Sequence, residues 1–298
     1  MPGIPPPYAD TEGNAPTPQS ALSTLRRIIR DARQQWQAHD YVAHGYIPAY
    51  YATRYRRNPY TATLRDAYCQ SSSTLPTTLP PPPPAPENPL YELACLLPIN
   101  PQRALFGGSE VLPLTVELHR DDHGLPFTWE AVDRLTLCRV FSWSVPSPGD
   151  IAFLAEHADS TSVVEVGAGS GYWAAQLTRA GFVVHAYDKT PPGRHNRYCP
   201  VGPYSPVEAA PAEVSSRHPG ALLLLCWPPM EGSAAHTALT HHRGDTVFYV
   251  GESAGGCTGD DAFHDLLQRD YTLHAVSPHH LTWEGIHCSV QVWHRSAG

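Results

Sequence analysis

The stretch VVEVGAGSGYWAAQLTRAGFVVHAYD, Val163–Asp188, decides how the rest of the chain is read. The apolar run Thr161–Val166 predicts a short buried strand. Glycines follow at 167, 169 and 171, and then Tyr172–Ala180 has the pattern of a helix. Phe182–Tyr187 predicts the next strand, which ends on Asp188. Strand, glycine turn, helix, strand and acid together describe a nucleotide-type site. Glycines let the backbone turn sharply and approach a ligand closely, because no Cβ intrudes. A dinucleotide fingerprint, G-x-G-x-x-G, would need a third glycine at position 172, which is Tyr172. The motif is instead E-x-G-x-G-x-G, beginning at Glu165. No lysine of the phosphate-clamping kind follows the glycines, so a nucleoside triphosphate clamp is disfavoured. An acid at the end of the second strand, as at Asp188, is placed to accept both hydroxyls of a ribose.

Downstream the pattern continues. Ala221–Cys226 and Asp245–Gly251 predict strands, and residues 232–242 and Asp260–Arg269 predict helices. A weak helix is expected near 207–216, after a long polar connection over 191–206. Tyr271–Val276 and His287–Trp293 predict two closing strands, hence a terminal hairpin with one antiparallel strand. Alternating strands and helices imply a mostly parallel sheet covered on both faces, the α/β doubly wound class.

The glycine stretch, with its following strand and acid, resembles motifs I and II of the class I S-adenosylmethionine (SAM)-dependent methyltransferases. The resemblance covers about 161–298 and implies a seven-stranded Rossmann-like sheet with SAM as cofactor. In that family the glycine loop lies against the methionyl and ribose parts of SAM, and the acid after the second strand binds the ribose. The resemblance therefore implies cofactor contacts at Glu165, Gly167, Ala168, Gly169, Gly171, Tyr172, Trp173, Asp188 and Lys189. It adds Cys226 at the end of the next strand and Trp143 in the Phe141–Pro146 stretch that leads into the domain. Cys226-Trp227-Pro228-Pro229-Met230 is similar to the (N/D/S)-P-P-(Y/F/W) motif of amino-methyltransferases, but Trp227 replaces the polar residue and Met230 the aromatic one. That departure puts amine methylation of a base in doubt and turns Trp227 into a stacking or cation-facing surface. Trp227, Glu252 and Tyr172 are the candidate catalytic residues. Trp227, Pro228, Glu252, Trp283, Tyr46 and Tyr51 are the candidate substrate contacts. His279 and His280 stand beside Trp283 between the last two strands, where the family often builds part of its substrate wall.

VFYVGESAGG, Val247–Gly256, competes with this reading, because G-x-S-x-G around Ser253 resembles the nucleophile elbow of esterases. An elbow needs a helix directly after the serine. Gly255, Gly256 and Gly259 delay it to about Asp260, and the remaining chain is too short for the usual acid and histidine units. The stretch is better read as a strand and its exit loop at the carboxyl edge of the sheet, where Glu252 can orient or deprotonate a substrate. The histidine pairs at 241–242 and 279–280 lack the helical i, i+4 spacing of a metal site, so no metal is expected.

Composition narrows the partners. A formal net charge of -8 disfavours a polyanion-binding protein, leaving Arg54, Arg56 and Arg57 as the best anchor were the acceptor a macromolecule. Seven scattered cysteines without a C-x-x-C, no basic-plus-apolar leader and no apolar run of membrane length point to a reduced cytoplasm. Residues 1–20 are expected to form a Pro-rich tail. Residues 21–140 are expected to form a mainly helical cap, with a helix near 21–36, further helical pieces at 91–96 and 128–138, and a Pro-rich loop at 71–88. The cap carries six tyrosines between 41 and 60, which with Trp36 can line an aromatic pocket. Residues 141–298 are expected to be the SAM-binding domain, entered by a helix at about Pro148–His157.

Three functions fit these residues. The first is in-line methyl transfer to a small-molecule acceptor. The second is a SAM-consuming enzyme that transfers no methyl but closes the aminobutyrate chain to azetidine-2-carboxylate, releasing methylthioadenosine. The third is a non-catalytic SAM-binding subunit. The expected partner is a small molecule rather than nucleic acid or membrane, and a homodimer is left open.

Overall fold

The computed structural model describes residues 88–91, 110–112, 115–120, 126–193, 196, 198–199, 201–283 and 286–296; for 110–136 only the backbone is described. The expected tail, the first cap helix, the tyrosine-rich stretch with Tyr46 and Tyr51, the arginines at 54–57 and the loop at 71–87 lie outside them. The chain divides into two compact units, one running from Leu137 to the C-terminus except for 283–285, the other holding those three residues and 19–136.

In the N-terminal unit the described residues include a helical turn at 89–91 and the strands β1 (Glu110–Leu112), β2 (Thr115–Arg120) and β3 (Pro126–Asp133). Strands β2 and β3 form an antiparallel hairpin. The helix expected over 128–138 therefore begins later, as α1 (Arg134–Val140), and its first residues belong to a strand. Pro126-Phe-Thr-Trp-Glu-Ala-Val-Asp133 is rich in aromatic and β-branched residues, and pairing with the equally β-prone Thr115–Arg120 overrides a helical reading of the apolar spacing.

The C-terminal unit is the expected α/β layer structure. Its sheet has seven strands in the order β6-β5-β4-β7-β8-β11-β9. These are β4 (Ser162–Val166), β5 (Val183–Asp188), β6 (Glu208–Ala209), β7 (Leu222–Cys226), β8 (Thr246–Gly251), β9 (Tyr271–Val276) and β11 (Ser289–Arg295); β10 (Leu281–Trp283) lies outside the sheet. Strand β11 is antiparallel to both β8 and β9, and the β4–β5, β4–β7, β5–β6 and β7–β8 pairings are parallel. This is the mostly parallel sheet with one antiparallel strand that the sequence predicts. Only the weak helix at 207–216 changes character. It is a two-residue strand, β6, and then a 3-10 turn at Ala212–Arg217. Pro206 and Pro211 lack the N–H groups that a continuous helix would need there.

Alternate residues of each central strand feed opposite faces, as the period of two requires. Val163, Leu222, Leu224, Phe248, Val250, Val290 and Val292 bury against α2 (Pro148–Glu156) and α3 (Tyr172–Arg179) through Phe153, Leu154, Trp173 and Leu177. Val164, Val166, Leu223, Leu225, Val247 and Tyr249 bury against α4 (Ala234–His241) and α5 (Asp261–Asp270) through Ala235, Ala238, Leu239, Phe263, Leu266 and Leu267. With both faces covered, what remains open is the edge at the strands' carboxyl ends. The order reverses between β4 and β7, because the chain runs outward from β4 through β5 to β6 and then returns to β4's other side. Open α/β sheets bind ligands in the crevice outside such a switch point. Among the described residues no helix is long and apolar enough to cross a membrane.

Candidate active site

Glu165 and Val166 end β4 at the switch point, and the next residues turn the chain into α3. Gly167, Gly169 and Gly171 all have positive φ, at 77°, 53° and 71°. In that left-handed region a side chain costs roughly 1–2 kcal/mol, so the glycines are demanded by the turn itself. They differ in what surrounds them. A Cβ on Gly169 would sit 2.8 Å from Cys199 Sγ, and one on Gly171 would sit 2.9 Å from the carbonyl oxygen of Ser205. A Cβ on Gly167 would meet nothing within 4 Å. Gly167 is therefore the exposed, open step of the loop, while the other two are packed beneath the β5–β6 connection.

That connection, a polar loop in sequence, is well knit. Asn196 accepts from the backbone N–H groups of Tyr198 (2.9 Å) and Cys199 (3.0 Å) and donates to the Thr190 carbonyl. Tyr204 donates from its N–H to the Ser170 carbonyl at 2.9 Å and from its hydroxyl to the Val140 carbonyl at 2.9 Å. Ser170 in turn donates to the Phe141 carbonyl. Loop, connection and the 141–146 entry segment are thus one hydrogen-bonded assembly.

Asp188, at the end of β5, faces the glycine loop. Its Oδ2 accepts from the Gly169 N–H at 2.9 Å and its Oδ1 from the Thr190 N–H at 2.8 Å. A carboxylate offers about four acceptor positions, so capacity remains for a diol. Lys189 beside it is exposed. Glu165 is buried at 1% exposure, and its Oε2 has no hydrogen-bond partner. Burial pushes its carboxyl up to about 8; the Ala174 backbone N–H pulls it down and the nearby Asp188 adds to the rise. An unpartnered carboxyl oxygen beneath the loop is costly unless something satisfies it.

Across the switch point stands an aromatic set. Trp143 stacks on Trp227, with centroids 6.4 Å apart and planes 21° apart, and meets Tyr198 edge-on at 6.2 Å. Trp227 has φ 51°, the one non-glycine residue at positive φ among the described residues. Strain of that kind persists only where the surroundings impose it. Here the Trp227 N–H is tied to the Val250 carbonyl at 2.7 Å, and the Pro228 carbonyl accepts from the Gly259 N–H at 2.8 Å. The two bonds lock the turn so that the indole lies against Trp143. Trp227→Gly relaxes the backbone strain but deletes the ring and adds unfolded-state freedom, so the effects oppose one another and the melting temperature is expected to move by only a few degrees, as differential scanning fluorimetry can check.

The remaining expected residues fall elsewhere. Tyr172 and Trp173 are both buried at 1% exposure. The Tyr172 ring packs edge-on against Phe141 and Tyr204. Trp173 donates its indole N–H to the Ser144 carbonyl at 3.3 Å. Both rings therefore fix the entry segment onto α3. Ala168 is buried beside Ala174 and Ala186, Cys226 is half-buried, and Pro228 is buried. The Glu252 carboxylate accepts from the N–H groups of Cys257 and His287, both at 2.7 Å. Burial works to raise its pKa, but those two donors prevail and hold it below the ordinary value. Glu252 thus joins the β8–α5 and β10–β11 loops as an anion. Trp283 is buried and groups with the N-terminal unit. Ser253 is exposed on a turn closed by the Gly256 N–H and its own carbonyl, and α5 starts only at Asp261. Tyr198, Cys199 and Asn196 escape sequence reading because they lie in a connection without periodicity.

No family model matches the chain, and no curated protein matches it in sequence. Several solved structures are similar to part of it. A 1,6-didemethyltoxoflavin-N1-methyltransferase from Burkholderia thailandensis, with bound S-adenosylhomocysteine, is 19% identical over 50% of this chain and 77% of its own, with a TM-score of 0.33. The magnesium protoporphyrin IX methyltransferase of Synechocystis PCC 6803, with bound SAM, is 10% identical over 49% and 76%, with a TM-score of 0.29. TehB from Haemophilus influenzae is 9% identical over 55% and 68%, with a TM-score of 0.34. The fold assignment stands on this chain's own strand order, its single antiparallel sheet strand and its glycine turn.

Proposed function

We propose that this protein is a SAM-dependent methyltransferase acting on a small-molecule acceptor. The observation that carries the reading is the pairing of two carboxyl groups about one glycine turn at the switch point. Asp188 is anchored to the Gly169 N–H, with acceptor capacity to spare, and Glu165 is buried with an unpartnered oxygen. The two demand different ligand groups, a diol at the end of β5 and a cationic donor beneath the loop. A ribose and an α-ammonium on one molecule answer both, and Gly167 leaves room for close backbone approach. The residues present therefore fit SAM.

When bound there, SAM supplies a methyl group already activated on a sulfonium. The protein's task is then largely positioning and the exclusion of water. Asp188 would hold the ribose hydroxyls at the end of β5. Glu165, once ionised, would hold the ammonium. Trp143 and Trp227, stacked just past the end of β7, offer aromatic surface where a cation is favoured and water is displaced. Trp227 stands where a polar residue would grip an amine, so the acceptor is gripped there by stacking. The acidic charge supports a metabolite rather than a nucleic acid acceptor.

Mass spectrometry of the full chain with SAM, alone and with a small-molecule cell extract, tests this. S-adenosylhomocysteine is expected only when extract is added. Methylthioadenosine from SAM alone would replace the proposal with intramolecular cyclisation, and SAM binding without turnover in any extract would leave a non-catalytic subunit.

A further inference from the structure

At the β8–β11 end of the same sheet edge lies a second group of reactive side chains, which the methyl-transfer reading does not use. His280 Nε2 is 3.1 Å from Cys288 Sγ, and His280 Nδ1 is 2.9 Å from Asp150 Oδ2. The three come from separate elements: the first turn of α2, the β9–β10 loop and the residue before β11. Their alignment is enforced from several sides. Asp150 Oδ1 accepts from the Ser277 hydroxyl at 2.6 Å, and Oδ2 accepts from the Ser147 N–H at 3.3 Å as half of a capping box. The Ser147 hydroxyl donates to the His279 carbonyl at 3.0 Å, and Val145 bridges to Leu281. His280 therefore cannot turn without breaking the start of α2. Ser144 Oγ lies 3.4 Å from His280 Nε2, and Thr282 Oγ1 lies 3.4 Å from Cys288 Sγ.

Asp150 is 0% exposed, His280 3% and Cys288 4%. Burial works against a charged imidazole, but Asp150 and the Cys288 sulfur outweigh it, so His280 is raised to about 10 and is imidazolium at neutral pH. Cys226 on β7 and Tyr249 on β8 are the other titratable groups that sense Cys288. The partner at the second nitrogen of His280 is a nucleophile, flanked by the exposed His287 and the half-buried Ser289. Nucleophile, histidine and orienting acid within hydrogen-bond reach are the arrangement of nucleophilic catalysis, recognised by geometry rather than chain order.

We propose that Cys288, His280 and Asp150 form a nucleophilic triad that accepts an acyl group from a small ester or thioester. The proposal does not depend on the methyl-donor reading. Cys288 Sγ attacks the carbonyl carbon in its thiolate form, paired with the protonated His280, and the C–S bond forms. The bond from that carbon to the alkoxide or thiolate leaving group breaks, and the His280 Nε2 proton passes to the leaving group. Neutral His280 then takes a proton from water or a second nucleophile, which displaces Sγ and restores the ion pair. Asp150 holds the ring so that Nε2 points at sulfur throughout.

The full chain with p-nitrophenyl acetate tests this, with the exposed Cys257 as internal reference. A burst of about one equivalent of p-nitrophenolate is expected, with the acetyl group mapped by mass spectrometry to Cys288. Cys288→Ser should abolish the burst, and His280→Asn should slow Cys288 acetylation about a hundredfold while leaving Cys257 unchanged. Where His280→Asn does not fold, the site and rate of acetylation in the unaltered chain decide. Acetyl on Cys257 in preference to Cys288, equal rates with and without His280, or labelling of Cys288 only in urea would each overturn the proposal and leave a sealed structural ion pair.

Discussion

Asp188→Ala is expected to weaken SAM binding about a thousandfold, the sum of several charge-assisted hydrogen bonds at roughly 1.5–3 kcal/mol each. Two of these bonds are already in the structure, from the Gly169 and Thr190 N–H groups, and they shape the loop before any ligand arrives. The others would form to the ribose. Asp188→Asn separates the two contributions. An amide keeps the shape but offers one acceptor oxygen in place of two, so it can hold either Gly169 or Thr190 in the same pose, not both. It should bind SAM about tenfold to a hundredfold less tightly than the unaltered chain, with the loss shared between loop and ribose. Isothermal titration with SAM and with 2′-deoxy and 3′-deoxy analogues resolves this. If the deoxy analogues bind the unaltered chain as well as SAM does, Asp188 serves the loop alone and the ribose assignment fails.

How legible this site is in the sequence depends on the kind of interaction. The strands β4, β5, β7, β8 and β9, the helices α3 to α5 and the antiparallel closing strand follow from hydrophobic period, because each central strand feeds two buried faces. Gly167, Gly169, Gly171 and Asp188 follow from a local motif in which backbone conformation dictates residue type. The hairpin at 115–133 does not follow, because its strand residues also fit an apolar helical spacing and only the pairing partner decides. Nor does the Cys288–His280–Asp150 group, whose members are separated by up to 138 residues (288 minus 150) and meet only through the β9–β11 loops. Asp150 is also the capping-box acid of α2, three residues after Ser147. Trp227 stands out in sequence as a departure from the motif, but its left-handed backbone does not, since strain at a tryptophan has no sequence signature.

The ionisation of Glu165 leads to the second large effect. In the folded chain its carboxyl is raised to about 8, chiefly by burial, whereas in the unfolded chain it titrates near 4.5. Between those limits the folded state holds a proton that the unfolded state has lost, so stability falls as pH rises from about 4.5 to 8. A shift of that size is on the order of several kcal/mol at about 1.4 kcal/mol per unit. Glu165→Gln removes the dependence, and its melting temperature is expected to exceed that of the unaltered chain at pH 8 and to match it near pH 5. Binding carries the opposite sign. The α-ammonium of SAM needs the carboxylate, so each SAM bound near pH 7 releases up to one proton, and affinity tightens as pH rises toward 8, by up to about tenfold per unit. Calorimetry in buffers of different ionisation enthalpy counts that proton directly. In Glu165→Gln the proton release should vanish and affinity should be flat with pH, and weaker than that of the unaltered chain at pH 8. Binding without proton release in the unaltered chain would place the ammonium away from Glu165, and the buried oxygen beneath the loop would then belong to a different ligand group.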